Sequence, residues 1–208
     1  MTMKRITIII ALLLSLCISA QAKLVPSSLF SDGMVLQQNT DAKIWGKANP
    51  GSQISVTTSW NGATYRAKTD SEGHWTIYAS TPAASYKPYT VTIKGDGQTI
   101  RINDVLIGEV WFASGQSNME MPVGGFMYQP VDGAAEHIRE ATQYPGIRMF
   151  TVPRCISETP KEDCDTVWRE SSPLTVRTFS AAAYFFGKEL HRMLGVPVGL
   201  ITSNRGGT

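Results

Sequence analysis

The pattern of apolar residues changes once along this chain, near Val110, and that change limits the folds it can adopt. From Leu24 to about Ile107, apolar and polar residues alternate in short runs separated by turn residues. Many short strands at this spacing are typical of a β-sandwich. Asn61-Gly62 between two runs suits a hairpin turn, because both residues tolerate positive φ. The predicted strands are 44–45, 54–57, 64–67, 75–78, 89–93 and 100–102.

After Val110 the spacing alternates between strand and helix, which indicates parallel β-α-β units. Helices are predicted over 132–144, with Asp132 as N-cap, and over 178–194, with strands over 146–152 and 197–202 and a polar loop over 154–172. The sequence thus predicts a β-sandwich domain at 23–107 followed by an α/β parallel-sheet domain at 108–208. Three strands and two helices cannot cover such a sheet on both faces, so we expect a truncated part of a longer protein. The last predicted helix has a broad apolar face, which is included in the set Ala182, Phe185, Phe186, Glu189, Leu190, Met193 and Leu194.

The apolar run 105–113 ends in Ser114-Gly115-Gln116-Ser117-Asn118. A strand that ends at a glycine places the following serine at the carboxyl edge of the sheet, where open α/β sheets bind ligands. Such a hydroxyl acts as a nucleophile when a base is near, and adjacent N–H groups stabilise an oxyanion. The alternative for Ser117 is a helix N-cap.

Gly206 and Gly207 follow the predicted strand 197–202. Glycines at a strand end let a backbone N–H approach a bound atom closely. The alternative is an ordinary turn or linker.

Residues 115–119 read Gly-Gln-Ser-Asn-Met and resemble the first conserved block of the SGNH/GDSL hydrolase superfamily, in its sialate O-acetylesterase branch. Glu120-Met121-Pro122 also fits that branch. The stretch from Pro197 to Thr208 resembles the second block, although Arg205 stands where the family usually has Trp. Landmarks of the β half extend the resemblance over almost all of the chain after residue 22; they are Trp45-Gly46, Pro50-Gly51 and Gly73-His74-Trp75.

The resemblance implies a flavodoxin-like α/β domain and an esterase with Ser117 as the nucleophile. It also implies that the N–H groups of Ser117 and of Gly206 or Gly207 form part of the oxyanion hole. Gln116, Asn118 and Glu120 are then neighbours of the substrate. The implied partner is an acetylated carbohydrate, either sialic acid or a plant polysaccharide such as xylan, and no metal or organic cofactor is needed.

A serine esterase also needs a base, which in this family is a histidine in an Asp-x-x-His type of segment. None of His74, His137 and His191 lies in such a segment, so the base and a third oxyanion donor are expected outside this sequence. We therefore expect this chain alone to be nearly inactive. The carboxylates considered as acids are Asp32, Glu109 and Glu120.

A second function class is a glycan-binding module. The β half would then hold a sugar on exposed aromatic side chains, with the α/β part vestigial. The alternative role of these aromatics is to pack in the sandwich core. The candidates are Trp60, Tyr65, Tyr86 and Tyr89.

Residues 1–22 resemble a signal peptide, with Lys4 and Arg5 before an apolar stretch at 6–18 and an Ala-Gln-Ala cleavage site at 20–22. We therefore predict a secreted or periplasmic protein with no membrane contact after cleavage. A retained anchor or lipid attachment at Cys17 is the alternative. Without this segment the chain has 17 basic and 17 acidic residues, a balance that argues against nucleic-acid binding.

Cys155 and Cys164 flank a polar stretch and could close a small disulfide loop in an oxidising compartment. The alternative is two free thiols. Two cysteines without further cysteine or histidine ligands do not make a zinc site.

Overall fold

A computed structural model describes residues 23–207, so the predicted signal peptide lies outside the described residues. Residues 23–207 form eleven strands and four α-helices, with a short 3₁₀ turn after the second helix. The strands are β1 (Val25–Pro26), β2 (Val35–Gln37), β3 (Asp41–Lys47), β4 (Gln53–Thr58), β5 (Thr64–Lys68), β6 (His74–Ser80), β7 (Ser85–Gly95), β8 (Gln98–Gly115), β9 (Ile147–Thr151), β10 (Arg169–Glu170) and β11 (Val198–Asn204). The helices are α1 (Ser117–Glu120), α2 (Ala134–Glu140), α3 (Pro173–Thr178) and α4 (Ala181–Leu194), and the 3₁₀ turn is Ala141–Gln143.

The first half of the described chain consists of strands, and all six predicted strand segments are confirmed. Strands β1, β3 and β6 form a three-stranded antiparallel sheet, while β4, β5 and β7 belong to a larger, eight-stranded sheet. Alternate residues of β3 and β6 are buried. Ile44 and Trp75 from the small sheet share one hydrophobic core with Ile54, Val56 and Ile93 from the large sheet. The alternation seen in the sequence therefore separates the core face of each strand from its solvent face.

Strand β8 connects the two halves of the chain. It pairs antiparallel with β7 up to Ile107 and then parallel with β11 from Glu109 to Gly115. The predicted segments 100–102 and 105–113 are therefore one continuous strand, and the predicted boundary at 107/108 falls inside it. The two halves share a single mixed sheet.

Beyond β8, the parallel order of strands is β8-β11-β9, and β10 pairs antiparallel with the outer edge of β9. One face of this part packs against the helices through a second hydrophobic core that includes Met149, Leu200 and Tyr184. Residues of the opposite face, including Phe150, join the core of the first half. This layout places the carboxyl ends of β8 and β11 side by side at one edge of the sheet.

The helix boundaries differ from the prediction in three places. Helix α2 begins at Ala134 after Gly133, which takes a left-handed conformation, so Asp132 is not the N-cap. The last helix begins at Ala181, with the Ser180 hydroxyl accepting the Ala183 N–H. Helix α3 was not predicted; Ser172 starts it with a capping box, followed directly by proline.

The buried face of α4 also differs from the prediction. Ala183, Tyr184 and Gly187 are buried, whereas Phe186 and Met193 are exposed. A Cβ at position 187 would lie 2.6 Å from the Leu200 side chain, so only glycine permits this close approach to β11. Of the predicted face, Phe185 and Leu190 pack against the second core while Phe186, Met193 and Leu194 are exposed, so the prediction is confirmed only in part.

Arg148 on β9 joins the two halves of the chain through a buried guanidinium group. Its side chain is 8% exposed and lies 2.5 Å from the Asp104 carboxylate. It also donates to the Pro145 carbonyl at 3.0 Å and to the Gly33 carbonyl at 3.4 Å. Removing the guanidinium leaves these acceptors without their donor inside the fold.

We expect Arg148→Met to lower the free energy of unfolding by about 1–3 kcal/mol, because several charge-assisted hydrogen bonds are lost. Urea denaturation of the two proteins measures the difference. Arg169→Met is the matched control, since Arg169 is exposed on β10 and we expect a change within about 0.5 kcal/mol. Equal stability of Arg148→Met and the unchanged chain would contradict the bridging role.

Candidate functional site

Ser117 lies at the carboxyl end of β8, at the start of a short helix. Strand β8 ends at Gly115, and Gln116 is the N-cap of α1. Ser117 is therefore the first helical residue, and its interpretation as an N-cap is wrong. Ser117 is exposed to solvent. The backbone N–H groups at the start of a helix have no acceptor within the helix.

The second predicted segment comes directly beside the first. Parallel pairing places Asn204 opposite Gly115. The Ser114 hydroxyl donates to the Ser203 carbonyl at 2.7 Å, and the Arg205 N–H donates to the Gly115 carbonyl at 3.1 Å. The sheet thereby places the loop that follows β11, residues 205–207, beside the turn that carries Ser117, residues 115–120. These segments are called the Gly206 loop and the serine turn.

Gly206 lies against Ser117. A Cβ built on Gly206 would come within 3.1 Å of the Ser117 hydroxyl oxygen and would overlap a carboxylate oxygen of Glu120. The Gly206 N–H donates to this Glu120 carboxylate. Gly207 has open space around its Cβ position. The two glycines therefore differ: the first is packed into the turn and its N–H is engaged by Glu120, whereas the second faces open space.

Glu120 contacts a residue that the sequence did not single out. Its carboxylate forms an ion pair with Arg154, which follows strand β9. Asn204, at the end of β11, donates from its side-chain amide to the Met119 carbonyl at 2.8 Å. Both Arg154 and Asn204 lie at or just beyond the carboxyl ends of parallel strands, and that position is the signal that could have identified them. Gln116 and Asn118 lie exposed on the same turn.

A polar cavity opens behind the serine turn, at the ends of β9 and β11. The side-chain amide oxygen of Asn204 is buried beside it without a hydrogen-bond partner among the described residues. The lining is mostly hydroxyl and charged side chains. The lining residues are Glu120, Thr151, Val152, Pro153, Arg154, Thr178, Ser180, Thr202 and Asn204.

None of the three histidines has Ser117 among its recorded partners. His74 contacts Asp70 and Glu162. His137 packs against Phe185, with Lys188 3.5 Å from its Nδ1. The His191 Nδ1 lies 2.7 Å from the Val196 carbonyl, at the far end of α4. Within residues 23–207, the structure thus records no imidazole bonded to the serine.

The other two predicted acids also have structural partners. The Asp32 carboxylate accepts the Asn103 N–H at 2.7 Å. The Glu109 carboxylate accepts from the Gln37 and Gln38 side chains at 3.2 and 2.8 Å, near the middle of β8. Of the three carboxylates considered, Glu120 is therefore the one that belongs to the serine turn.

No group of three or more metal-ligating side chains is arranged to hold an ion among residues 23–207. In the same part of the chain, no helix is both long enough and apolar enough to cross a membrane.

The aromatic residues proposed for glycan binding pack against the protein. Trp60 donates from its indole N–H to the Ser80 carbonyl at 2.8 Å and meets Tyr89 edge to face. The Tyr65 hydroxyl accepts the Ser80 N–H at 3.1 Å. Tyr86 lies apart from them, beside His191. The four side chains therefore do not form one exposed platform.

Cys155 and Cys164 are free thiols in the structure, so the predicted disulfide is not formed there. Both line a mostly apolar groove. The segment between them is held to the first half of the chain by Asp163, whose carboxylate accepts from the Ser27 hydroxyl at 3.1 Å and from the Ser28 hydroxyl at 2.8 Å.

Burial raises the pKa of Asp163, but the hydrogen bonds from Ser28, the Cys164 backbone and Ser27 outweigh it and leave the pKa below its ordinary value. A carboxyl group with a lowered folded-state pKa stabilises the fold above its unfolded pKa of about 3.9, and this contribution is lost as the pH falls through the folded pKa.

We expect Asp163→Asn to lower the free energy of unfolding at pH 7 by about 0.5–1.5 kcal/mol, because the charged acceptor is lost. The difference should shrink as the pH falls below about 4, since the unchanged chain then loses the same charge. Thermal denaturation of both proteins over a pH series measures this, with exposed Asp165→Asn as the control. A difference that does not vary with pH would contradict the assignment.

Comparison with known proteins agrees with the resemblance of residues 115–119. The chain is 31% identical over 199 residues to the sialate O-acetylesterases of Mus musculus and Homo sapiens. The match covers 88% of this chain but 36% and 37% of those proteins. The chain thus spans just over a third of the length of these relatives. No protein-family model matches the sequence.

The fold is also similar to that of a carbohydrate acetylesterase from Xanthomonas citri, known from a crystal structure. The two chains superpose with a TM-score of 0.80 and are 32% identical. The similarity covers 89% of this chain and 41% of that chain.

Proposed function

Because this chain is a relative of the sialate O-acetylesterase family along most of its length, we propose that it carries the nucleophile half of an exported carbohydrate O-acetylesterase. The observation that supports this most is the position of Gly206, whose Cβ would meet the Ser117 hydroxyl at 3.1 Å. Two loops at the carboxyl ends of adjacent parallel strands thus bring the Gly206 backbone beside the Ser117 hydroxyl.

In the proposed reaction, the Ser117 Oγ attacks the acetyl carbonyl carbon and transfers its proton to a base. The carbonyl oxygen becomes an oxyanion, and the sugar oxygen leaves with a proton as the acetyl-enzyme forms. Water then attacks the acetyl group, which releases acetate and restores the serine. Splitting the hydrolysis into two steps is the advantage of a covalent intermediate.

The proposed oxyanion donors are the N–H groups of Ser117 and Gly207. The first lies at the start of α1, where helix N–H groups have no internal acceptor. The second follows Gly206, whose own N–H is bonded to Glu120. An oxyanion-hole donor of this kind is worth about 10²–10³ in kcat.

We propose that the base comes from outside the described residues. His74, His137 and His191 are bonded elsewhere, and Glu120 has both carboxylate oxygens engaged. A missing base costs a serine hydrolase several powers of ten in rate, so residues 23–207 alone should release acetate very slowly.

The substrate proposal is an acetyl ester of a sugar, with a 9-O-acetylated sialoside as the first candidate and an acetylated xylan as the second. The test is acetate release from each ester, by this chain and by a longer protein that carries this sequence. Preference of the longer protein for the sialoside would support the sialate assignment. Preference for xylan would redirect it to plant polysaccharide, and release from neither ester would refute the proposed function.

A further inference from the structure

Glu120 lies at the junction of the three segments that build the site. It is three residues after Ser117, on the same side of the short helix α1. Its side chain is only 12% exposed. A carboxylate that is largely removed from water needs charged or hydrogen-bonding partners. The contacts of Glu120 therefore indicate its role in the site.

The two oxygens of the carboxylate have different partners. Oε2 accepts the N–H of Gly206, and Oε1 pairs with the guanidinium of Arg154. The end of β11 is therefore attached to α1 twice, because the Asn204 amide also donates to the Met119 carbonyl at 2.8 Å. Together these contacts fix the distance between the Gly206 loop and the serine turn.

This arrangement also limits what Glu120 can do in the reaction. A carboxylate with both oxygens already accepting from donors is poorly placed to take the proton of Ser117. An unpaired negative charge beside a developing oxyanion would raise the barrier, and the positive charge of Arg154 offsets it.

We propose that Glu120 is a positioning residue: its carboxylate holds the Gly206 backbone against the Ser117 turn and turns the Gly206 N–H away from the reacting oxygen, leaving that role to Gly207. The proposal rests on the proposed function for its effect on catalysis. The contact itself is independent of any activity and can be tested on its own.

The first test measures hydrogen exchange of the Gly206 amide by NMR in this chain, unchanged and as Glu120→Ala and Glu120→Gln. Losing a charge-assisted hydrogen bond should speed this exchange about 10- to 100-fold in Glu120→Ala. Glu120→Gln keeps a carbonyl acceptor and should give an intermediate rate. Glu140→Gln is the matched control, because Glu140 pairs with Lys188 instead, and it should leave the rate unchanged.

The second test measures acetate release by a longer protein that carries this sequence. Displacing the Gly206 loop should lower kcat of Glu120→Ala by about 100-fold with little change in KM, and Glu120→Gln should recover part of the loss. An equal melting temperature of the variants would show that the loss is not one of folding.

The outcomes separate the two claims. Unchanged Gly206 exchange in Glu120→Ala overturns the inference, whatever the activity. Faster exchange with unchanged kcat in an active enzyme also overturns it. Acetate release that survives Ser117→Ala refutes the proposed function instead, and leaves the exchange result as a separate finding about the contact.

Discussion

Ser117→Ala is expected to lower kcat for acetate release by about 10⁴- to 10⁶-fold in a longer protein that carries this sequence. Alanine keeps the backbone N–H groups at the turn but removes the oxygen that attacks the carbonyl. Binding should survive, because the polar cavity and the Gly206 loop do not depend on the hydroxyl. We therefore expect KM to change by no more than about threefold.

The matched control for this prediction is Ser114→Ala. Ser114 lies three residues before Ser117, and its hydroxyl donates to the Ser203 carbonyl at 2.7 Å. Its loss should change kcat by less than about tenfold, the value of one ordinary hydrogen bond. Steady-state acetate release measures both variants. Equal losses in the two variants would show that the turn, rather than the Ser117 hydroxyl, carries the effect.

Gly108→Ala is expected to destabilise the fold by about 3 kcal/mol or more. A Cβ at this position would overlap the Pro197 carbonyl oxygen, where β11 begins beside β8. Neither backbone can move aside, because the Glu109 N–H donates to the Pro197 carbonyl at 2.9 Å and the Gly108 carbonyl accepts from Gln38 at 2.8 Å. This prediction tests the continuous strand that joins the two halves.

Gly97→Ala is the control for the strand prediction. Gly97 lies in the turn between β7 and β8, with φ near +70° and no atom within 4 Å of its Cβ position. Alanine there should cost about 1–2 kcal/mol, from left-handed backbone strain alone. Urea denaturation compares the two variants. A smaller loss at Gly108 than at Gly97 would contradict the close packing of β8 on β11.

Local patterns predicted six strands of the first half, and β3 and β6 show why, since alternate residues along each are buried. The short strands β1 and β2 were not predicted. Local patterns also failed to predict the length of β8. The segments 100–102 and 105–113 were predicted separately, with Asn103 and Asp104 between them, yet Asp104 takes a positive φ within the strand and pairing continues on both sides. Strand continuity across a polar pair is decided by tertiary pairing, which local composition does not encode.

The serine and the glycine pair of the site could be predicted from the sequence, because both follow parallel strands and such ends meet at one edge. The ion-pair partner of Glu120, Arg154, could not be predicted from the sequence. Arg154 lies in a segment that reads as a polar loop, and its contact depends on how the end of β9 is placed beside α1. Likewise, the burial of Tyr184 and Gly187 on α4 depends on how the helix fits against β11, which apolar periodicity alone does not encode.

The most direct test of the central claim is to look for the acetyl-enzyme. A longer protein that carries this sequence would be mixed with an acetylated sialoside, quenched in acid within milliseconds, digested and analysed by mass spectrometry. We predict one acetyl group on the peptide that contains Ser117, and none on that peptide in Ser117→Ala. Acetate release at full rate without an acetylated Ser117 would contradict the account.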